Sequence, residues 1–180
     1  MRQVRADAYG APSYPRIPMN EIDPILELLQ QDARLDDAAI AERLGLSAAE
    51  VSERIAGFAR NGTVLGYHAI VDEDQAGTLD VSAMIEVELQ PEREGGFDRI
   101  ARRIAQFDQV ESCYLMSGGY DLLVVVRGSD LREVARFVAE KLSTLEGVRG
   151  TATRFRLKKY KQNGFLAGTP AEVERLSVSP

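Results

Sequence analysis

Between residues 20 and 61 the apolar positions recur at helical spacing, and from residue 81 onward alternating stretches take over. Ile25, Leu28 and Leu29 make one helical face; Ile40, Ala41 and Leu44 make a second; Val51, Ile55 and Phe58 make a third. Asp23-Pro24 opens the first helix with an acidic cap and a proline at the first helical position. Gly45 stands where the second helix stops, a place for a left-handed residue. Leu46 plugs the corner, and Ser47 with Glu50 three residues later has the spacing of a capping box for the third helix. Asn61-Gly62 ends that helix, and residues 63–71 read as a strand, either a wing or a connector.

The second half alternates two kinds of period. Val81, Ala83, Ile85, Val87 and Leu89 predict a half-buried strand. Phe97, Ile100, Ile104 and Phe107 predict a helix, and residues 110–116 a second strand ending at Ser117-Gly118-Gly119. Residues 121–127 give a third strand. A helix follows, capped by Ser129 or Asp130 and burying Leu131, Val134, Val138, Leu142 and Leu145. Gly147 stops it before a fourth strand over residues 148–159. The order is β-α-β-β-α-β, the ferredoxin-like plan, with helices on one sheet face and the other face free for a second subunit. The predicted fold class is therefore α+β. A flexible arm (1–19) precedes a winged helix-turn-helix (20–62), a linking strand and loop (63–78), a ferredoxin-like domain (79–161) and a tail (162–180) in which Thr169-Pro170-Ala171-Glu172 caps one short terminal helix.

Composition adjusts this picture. The chain has 180 residues and a net charge of -6, the wrong sign for binding nucleic acid through bulk electrostatics. No apolar run approaches the ~18 residues of a membrane span. The first residues lack the continuous apolar core of a secretory signal, and Cys113 is the single cysteine, which fits a reducing cytoplasm. His68 is the only histidine, so no histidine-rich metal site exists in one chain and no metal or cofactor is expected. Cys113 sits in a β pattern and reads as a small core residue.

A helix-turn-helix places its second helix in the DNA major groove, although a helical hairpin inside a bundle has the same local pattern. The two halves in this order resemble the Lrp/AsnC (feast/famine) transcription regulators over residues 20–164. IAERLGLSAAEVSERI, NGTVLGYHAIVD and YLMSGGYDLLVVV carry the resemblance, the last through its S-G-x-Y-D turn. It implies a regulator of double-stranded DNA that dimerises through its sheet, assembles up to octamers and responds to a small effector, commonly an amino acid. By matching residues, Gly118, Gly119, Tyr120 and Asp121 would form the effector loop, with Thr151 and Thr153 facing the same pocket. Glycine backbone can approach a ligand carboxylate closely, and Asp121 can accept from a ligand ammonium group. The bland alternative is a hairpin turn that Asp121 caps.

The recognition helix departs from the family pattern. DNA contacts would come from Ser47, Ala48 and Ser52, with Arg54 and Arg60 on phosphates, yet the surrounding module is acidic. Arg2, Arg5 and Arg16 in the arm and the basic strand end Arg154, Arg156, Lys158, Lys159 and Lys161 are further cations, with solvated surface as their default role. A second reading is an effector-sensing oligomer whose degenerate helix-turn-helix no longer binds DNA. A third is an enzyme, since siroheme decarboxylases share the plan, but their His-Arg pairing is absent because Ala69 follows His68. The expectation is a non-enzymatic regulator.

Overall fold

A computed structural model describes residues 22–78, 80–90 and 97–168. The arm and the short terminal helix expected to be capped at Thr169-Pro170-Ala171-Glu172 lie outside the described residues. The chain divides into two compact units between Ala69 and Ile70.

The first unit is three helices, α1 (Pro24–Gln31), α2 (Asp37–Leu44) and α3 (Ala48–Arg60). Each begins on a side-chain cap. Asp23 accepts from the Ile25 amide at 2.9 Å, Asp36 from Ala39 at 2.7 Å and Ser47 from Glu50 at 3.3 Å. Gly45 ends α2 at φ 68°, and the Leu46 amide turns back to the Ala41 carbonyl at 3.0 Å. Ile25, Ile40, Ala41 and Val51 form the buried centre, with Leu44, Leu46, Ile55 and Phe58 packed on it.

The expected wing is not there. Residues 63–71 form no strand, and Leu65 is 95% exposed. A lone extended segment with no partner edge leaves most of its ladder groups to solvent; here the Val64 amide turns back to the Phe58 carbonyl at 3.0 Å and the Thr63 amide to Asn61 Oδ1 at 3.0 Å. A short helix that the sequence did not reveal, α4 (Glu73–Ala76), follows, capped by Asp72.

The second unit is a four-stranded antiparallel sheet in the order β2-β3-β1-β4, built from β1 (Val81–Leu89), β2 (Val110–Leu115), β3 (Leu122–Gly128) and β4 (Val148–Phe155). Helices α5 (Asp98–Ile104) and α6 (Leu131–Phe137) cover one face, and α6 continues as a π-helical turn, Val138–Leu142. Ala83, Ile85, Val87, Leu122, Val124 and Val126 meet Ile100, Ile104, Val134, Phe137 and Leu142 in the core. This is the β-α-β-β-α-β order expected from the periodicity.

Three details differ from expectation. Leu131 is half exposed at the first position of α6, and Phe137, six residues on, fills the core. β4 stops at Phe155 rather than residue 159, because β1 begins at Val81 and offers only the Ser82 carbonyl to the Arg156 amide. Beyond it β5 (Lys161–Gln162) and β6 (Phe165–Leu166) make a small unforeseen hairpin.

Candidate DNA and effector sites

The start of α3 is held by a reciprocal cap. Ser47 Oγ accepts from the Glu50 amide while the Ser47 amide and hydroxyl both donate to Glu50 Oε2, at 2.9 and 2.8 Å. Those bonds, the backbone one first, hold the Glu50 carboxyl below its usual range. The Ser47 hydroxyl proton is thereby committed, so this serine can offer DNA only an acceptor. Val51 is fully buried and Ile55 and Phe58 partly so. At 3.6 residues per turn the opposite stripe carries Ala49, Ser52, Glu53, Ala56 and Arg60. Ala48 flanks it. Arg54 lies off this stripe and leans toward α1, its Nη1 3.8 Å from Asp23 Oδ2. Ser47, Ala48, Ser52 and Arg60 thus share the exposed side, and Arg54 is drawn away from it.

The loop between β2 and β3 is tied to β1. The Met116 amide donates to the Asp121 carbonyl at 2.8 Å, and the Asp121 amide to the Val87 carbonyl at 3.0 Å. Asp121 Oδ2 accepts from the Leu89 amide at 2.7 Å. Gly118 has φ 137°, where a side chain is strained, whereas Gly119 has no such need. Tyr120 is half-buried near Arg154, whose guanidinium forks onto Glu86 at 2.8 and 3.0 Å. Thr151 pairs with Val87 and Thr153 with Ile85, so both threonines share the helix-covered face of the sheet. Thr151 Oγ1 stands 3.4 Å from Ser143 Oγ. Thr151 and the 118–121 loop therefore reach one end of the sheet with β1 between them, and Thr153 lies one pair further along.

A charged cluster went unread in the sequence. Glu73 of α4 receives Arg127 Nη2 at 3.0 Å on one carboxylate oxygen, and Arg156 Nη2 at 2.7 Å and Lys159 Nζ at 3.3 Å on the other. Arg127 also faces Glu111 and Asp80. Lys159 reaches the Val71 carbonyl and Gln162, and Asp72 Oδ2 accepts from the Gly168 amide at 2.6 Å. The basic strand end is thus largely consumed internally, with Lys158 over the Tyr160 ring and Arg154 on Glu86. Only long-range pairing reveals this, because residues 73, 127, 156 and 159 follow no local motif. His68 is exposed. Burial raises the Cys113 thiol above its ordinary range, and its Sγ points to the Ala101 carbonyl, as suits a small core residue.

Residues 15–57 match the AsnC-type helix-turn-helix domain, and residues 82–166 match the Lrp/AsnC ligand binding domain. The chain belongs to the Lrp/AsnC family. An HTH-type transcriptional regulator of Bacillus subtilis, YugG, is 45% identical over 87% of this chain and 95% of its own. The leucine-responsive regulatory protein of Escherichia coli is 29% identical over 79% of this chain and 86% of its own. A Neisseria meningitidis transcriptional regulator solved with L-methionine superposes with a TM-score of 0.60 at 26% identity, covering 77% of this chain and 89% of that one. As a member of the Lrp/AsnC family, the chain is a DNA-binding transcription regulator with an effector-binding domain.

Proposed function

We propose that this Lrp/AsnC regulator reads double-stranded DNA with α3, assembles through the uncovered face of its sheet, and takes an amino acid at the loop of Gly118, Gly119, Tyr120 and Asp121. The observation that carries this reading is the sheet itself. Its helix-free face presents Met84, 44% exposed, and Tyr114, 53% exposed, beside Leu123 and Val125. Exposed apolar side chains on a sheet face, beside the Glu86–Arg154 pair, call for a partner, and a second copy covers them symmetrically. Ser47, Ala48 and Ser52 supply the groove contacts, with Arg60 and Arg54 on phosphates. Thr151 and Thr153 are the more distant members of the effector site. The names of relatives support an amino-acid effector, one being leucine-responsive and another solved with L-methionine. The reading places the protein in the cytoplasm.

One observation favours the alternative of a sensor that has lost DNA binding. Among residues 22–69, eight carboxylates stand against four arginines. A single module therefore binds weakly, and useful affinity comes from several modules on one DNA. The test is titration of the full-length protein against DNA upstream of its own gene, with and without amino acids, alongside sedimentation. Oligomers that bind this DNA, and whose affinity shifts with one amino acid, are expected. Absence of salt-dependent binding at low ionic strength selects the sensor, and a stable monomer at micromolar concentration removes the assembly.

A further inference from the structure

Helices α5 and α6 sit together on one sheet face, joined where the Phe107 and Phe137 rings meet edge to face at 5.5 Å. Ile100 and Ile104 of α5, and Val134 and Phe137 of α6, point into the core. At 100° per residue the side opposite the core is centred on Arg102 of α5 and Arg132 of α6, with Arg99 and Arg136 beside them and Arg103 on the flank of α5. All five are exposed. Arg99 is already engaged within the chain. Arg102, Arg103 and Arg132 have no carboxylate partner among the described residues. Arg136 feels Glu133, one turn away, whose carboxylate is held by the Ser129 amide and hydroxyl at 2.7 and 2.8 Å. Asp98 shares the outward side of α5 with Arg102, and Glu140 lies at the margin beyond α6.

Helix stability does not explain this arrangement. Like charges at i,i+4, as at Arg132 and Arg136, weaken a helix, and interspersed carboxylates would serve solubility better. The chain is acidic overall at -6, so a guanidinium face is a segregated feature. Guanidinium forks match phosphate oxygens bidentately. The exposed stripe of α3, meanwhile, offers Arg60 as its one cation beside Glu53, far short of the phosphate contacts that set most protein–DNA affinity. We propose that the arginine face of α5 and α6 is a second DNA contact, binding phosphates of the same duplex outside the site read by α3. This rests on the DNA-binding reading above and adds to it a surface on the effector domain.

The test compares wild type with a full-length variant carrying R102Q, R103Q, R132Q and R136Q. Two duplexes are used: the minimal site defined by footprinting, and that site extended by about two helical turns on each side. The variant is expected to bind the minimal duplex as wild type does and the extended duplex about tenfold more weakly near 0.1 M salt, its salt slope shallower by about 1 for each phosphate no longer neutralised. Unchanged affinity and slope on the extended duplex overturn the proposal. So does an equal weakening on both duplexes, which marks a mere net-charge effect, and so does a changed sedimentation coefficient, which assigns the face to subunit contacts. Wild type that binds neither duplex overturns the DNA-binding reading itself, a distinct outcome. Should the fourfold variant fail to fold by circular dichroism, the pairs R102Q/R103Q and R132Q/R136Q are measured separately, each expected to give about half the slope change.

Discussion

The Asp121 carboxylate closes the end of β1: its Oδ2 accepts the Leu89 amide at 2.7 Å, at the step where Glu88 and Leu89 shift register against β4. A register shift strands ladder groups, and a carboxylate from the neighbouring hairpin satisfies one of them. Asp121 therefore holds the fold as well as standing in the candidate effector loop. Asp121→Ala leaves a partly buried N–H unmet and is expected to cost about 1–3 kcal/mol. Asp121→Asn keeps an acceptor and loses the charge. Thermal unfolding and calorimetry on the pair separate the two roles. The asparagine variant should keep most of its stability while losing affinity for the ammonium group of an amino acid. Full affinity in a folded Asp121→Asn protein assigns the carboxylate to the backbone alone.

Glu73 presents a second structural prediction. It receives Arg127, Arg156 and Lys159, and Asp72 beside it holds the Gly168 amide, so α4 is fastened to β3, to the segment that follows β4 and to the chain just past the C-terminal hairpin. Glu73→Gln leaves two or three cations short of a partner. Because these groups are partly solvated, the expected loss is about 1–2 kcal/mol rather than that of a buried pair. Urea unfolding should show it, and the loss should shrink in high salt. A variant as stable as wild type at low salt would mean that the cluster is only a solvated crowd.

The parts of the fold that were legible in the sequence are those governed by local rules. Asp23-Pro24, Gly45 and the Ser47–Glu50 pair act within one turn of helix, and each appears where its chemistry puts it. The alternation from Val81 to Leu89 reads directly as a buried face. What failed depended on distant partners. Residues 63–71 have a β composition, but a strand needs an edge to pair with, and composition cannot supply one. The end of β4 was set by where β1 begins, not by its own residues. At the sites, the glycine turn was visible, whereas the Leu89 contact of Asp121 and the cations around Glu73 join residues 32 or more positions apart.

Gly57 gives a prediction of the opposite sign. It lies within α3, and a Cβ built there meets only the tip of Arg60, at 4.0 Å. Glycine in a helix interior is worse than alanine by about 0.5–1 kcal/mol. Gly57→Ala should therefore raise the melting temperature, with DNA affinity unchanged or improved by a stiffer helix. A drop in stability would show that the position is less open than its surroundings indicate.

Acid should weaken the protein through carboxylates held below their ordinary values. The Ser47 amide lowers Glu50, the Arg154 guanidinium lowers Glu86, and the Ser129 amide lowers Glu133. Each has a folded-state pKa depressed below 4.5. Their stabilisation is therefore complete above that value and is lost as pH falls through the lower folded values. Urea midpoints should hold from neutrality to about pH 5 and then decline, with a gentler decline in Glu50→Gln. A midpoint that stays level down to about pH 3 would contradict the linkage.

Asp23 offers a way to strengthen the DNA contact. Its Oδ1 caps α1 through the Ile25 amide, while its Oδ2 lies 3.8 Å from Arg54 Nη1. Arg54 is half exposed, so the pair adds little to stability, yet it biases the guanidinium toward α1 and away from the outward side of α3. Asparagine caps a helix about as well as aspartate. Asp23→Asn should keep the fold, release Arg54 and remove one negative charge from an acidic module. The expected result is affinity for DNA raised by about threefold at low salt, with a salt slope steeper by about 1 if Arg54 then reaches a phosphate. In a double-mutant cycle with Arg54→Gln, the part of the gain carried by Arg54 should vanish, leaving only the general effect of removing one carboxylate. If Asp23→Asn and the double variant gain equally over their parents, Arg54 takes no part in DNA binding, and the phosphate contacts of α3 reduce to Arg60.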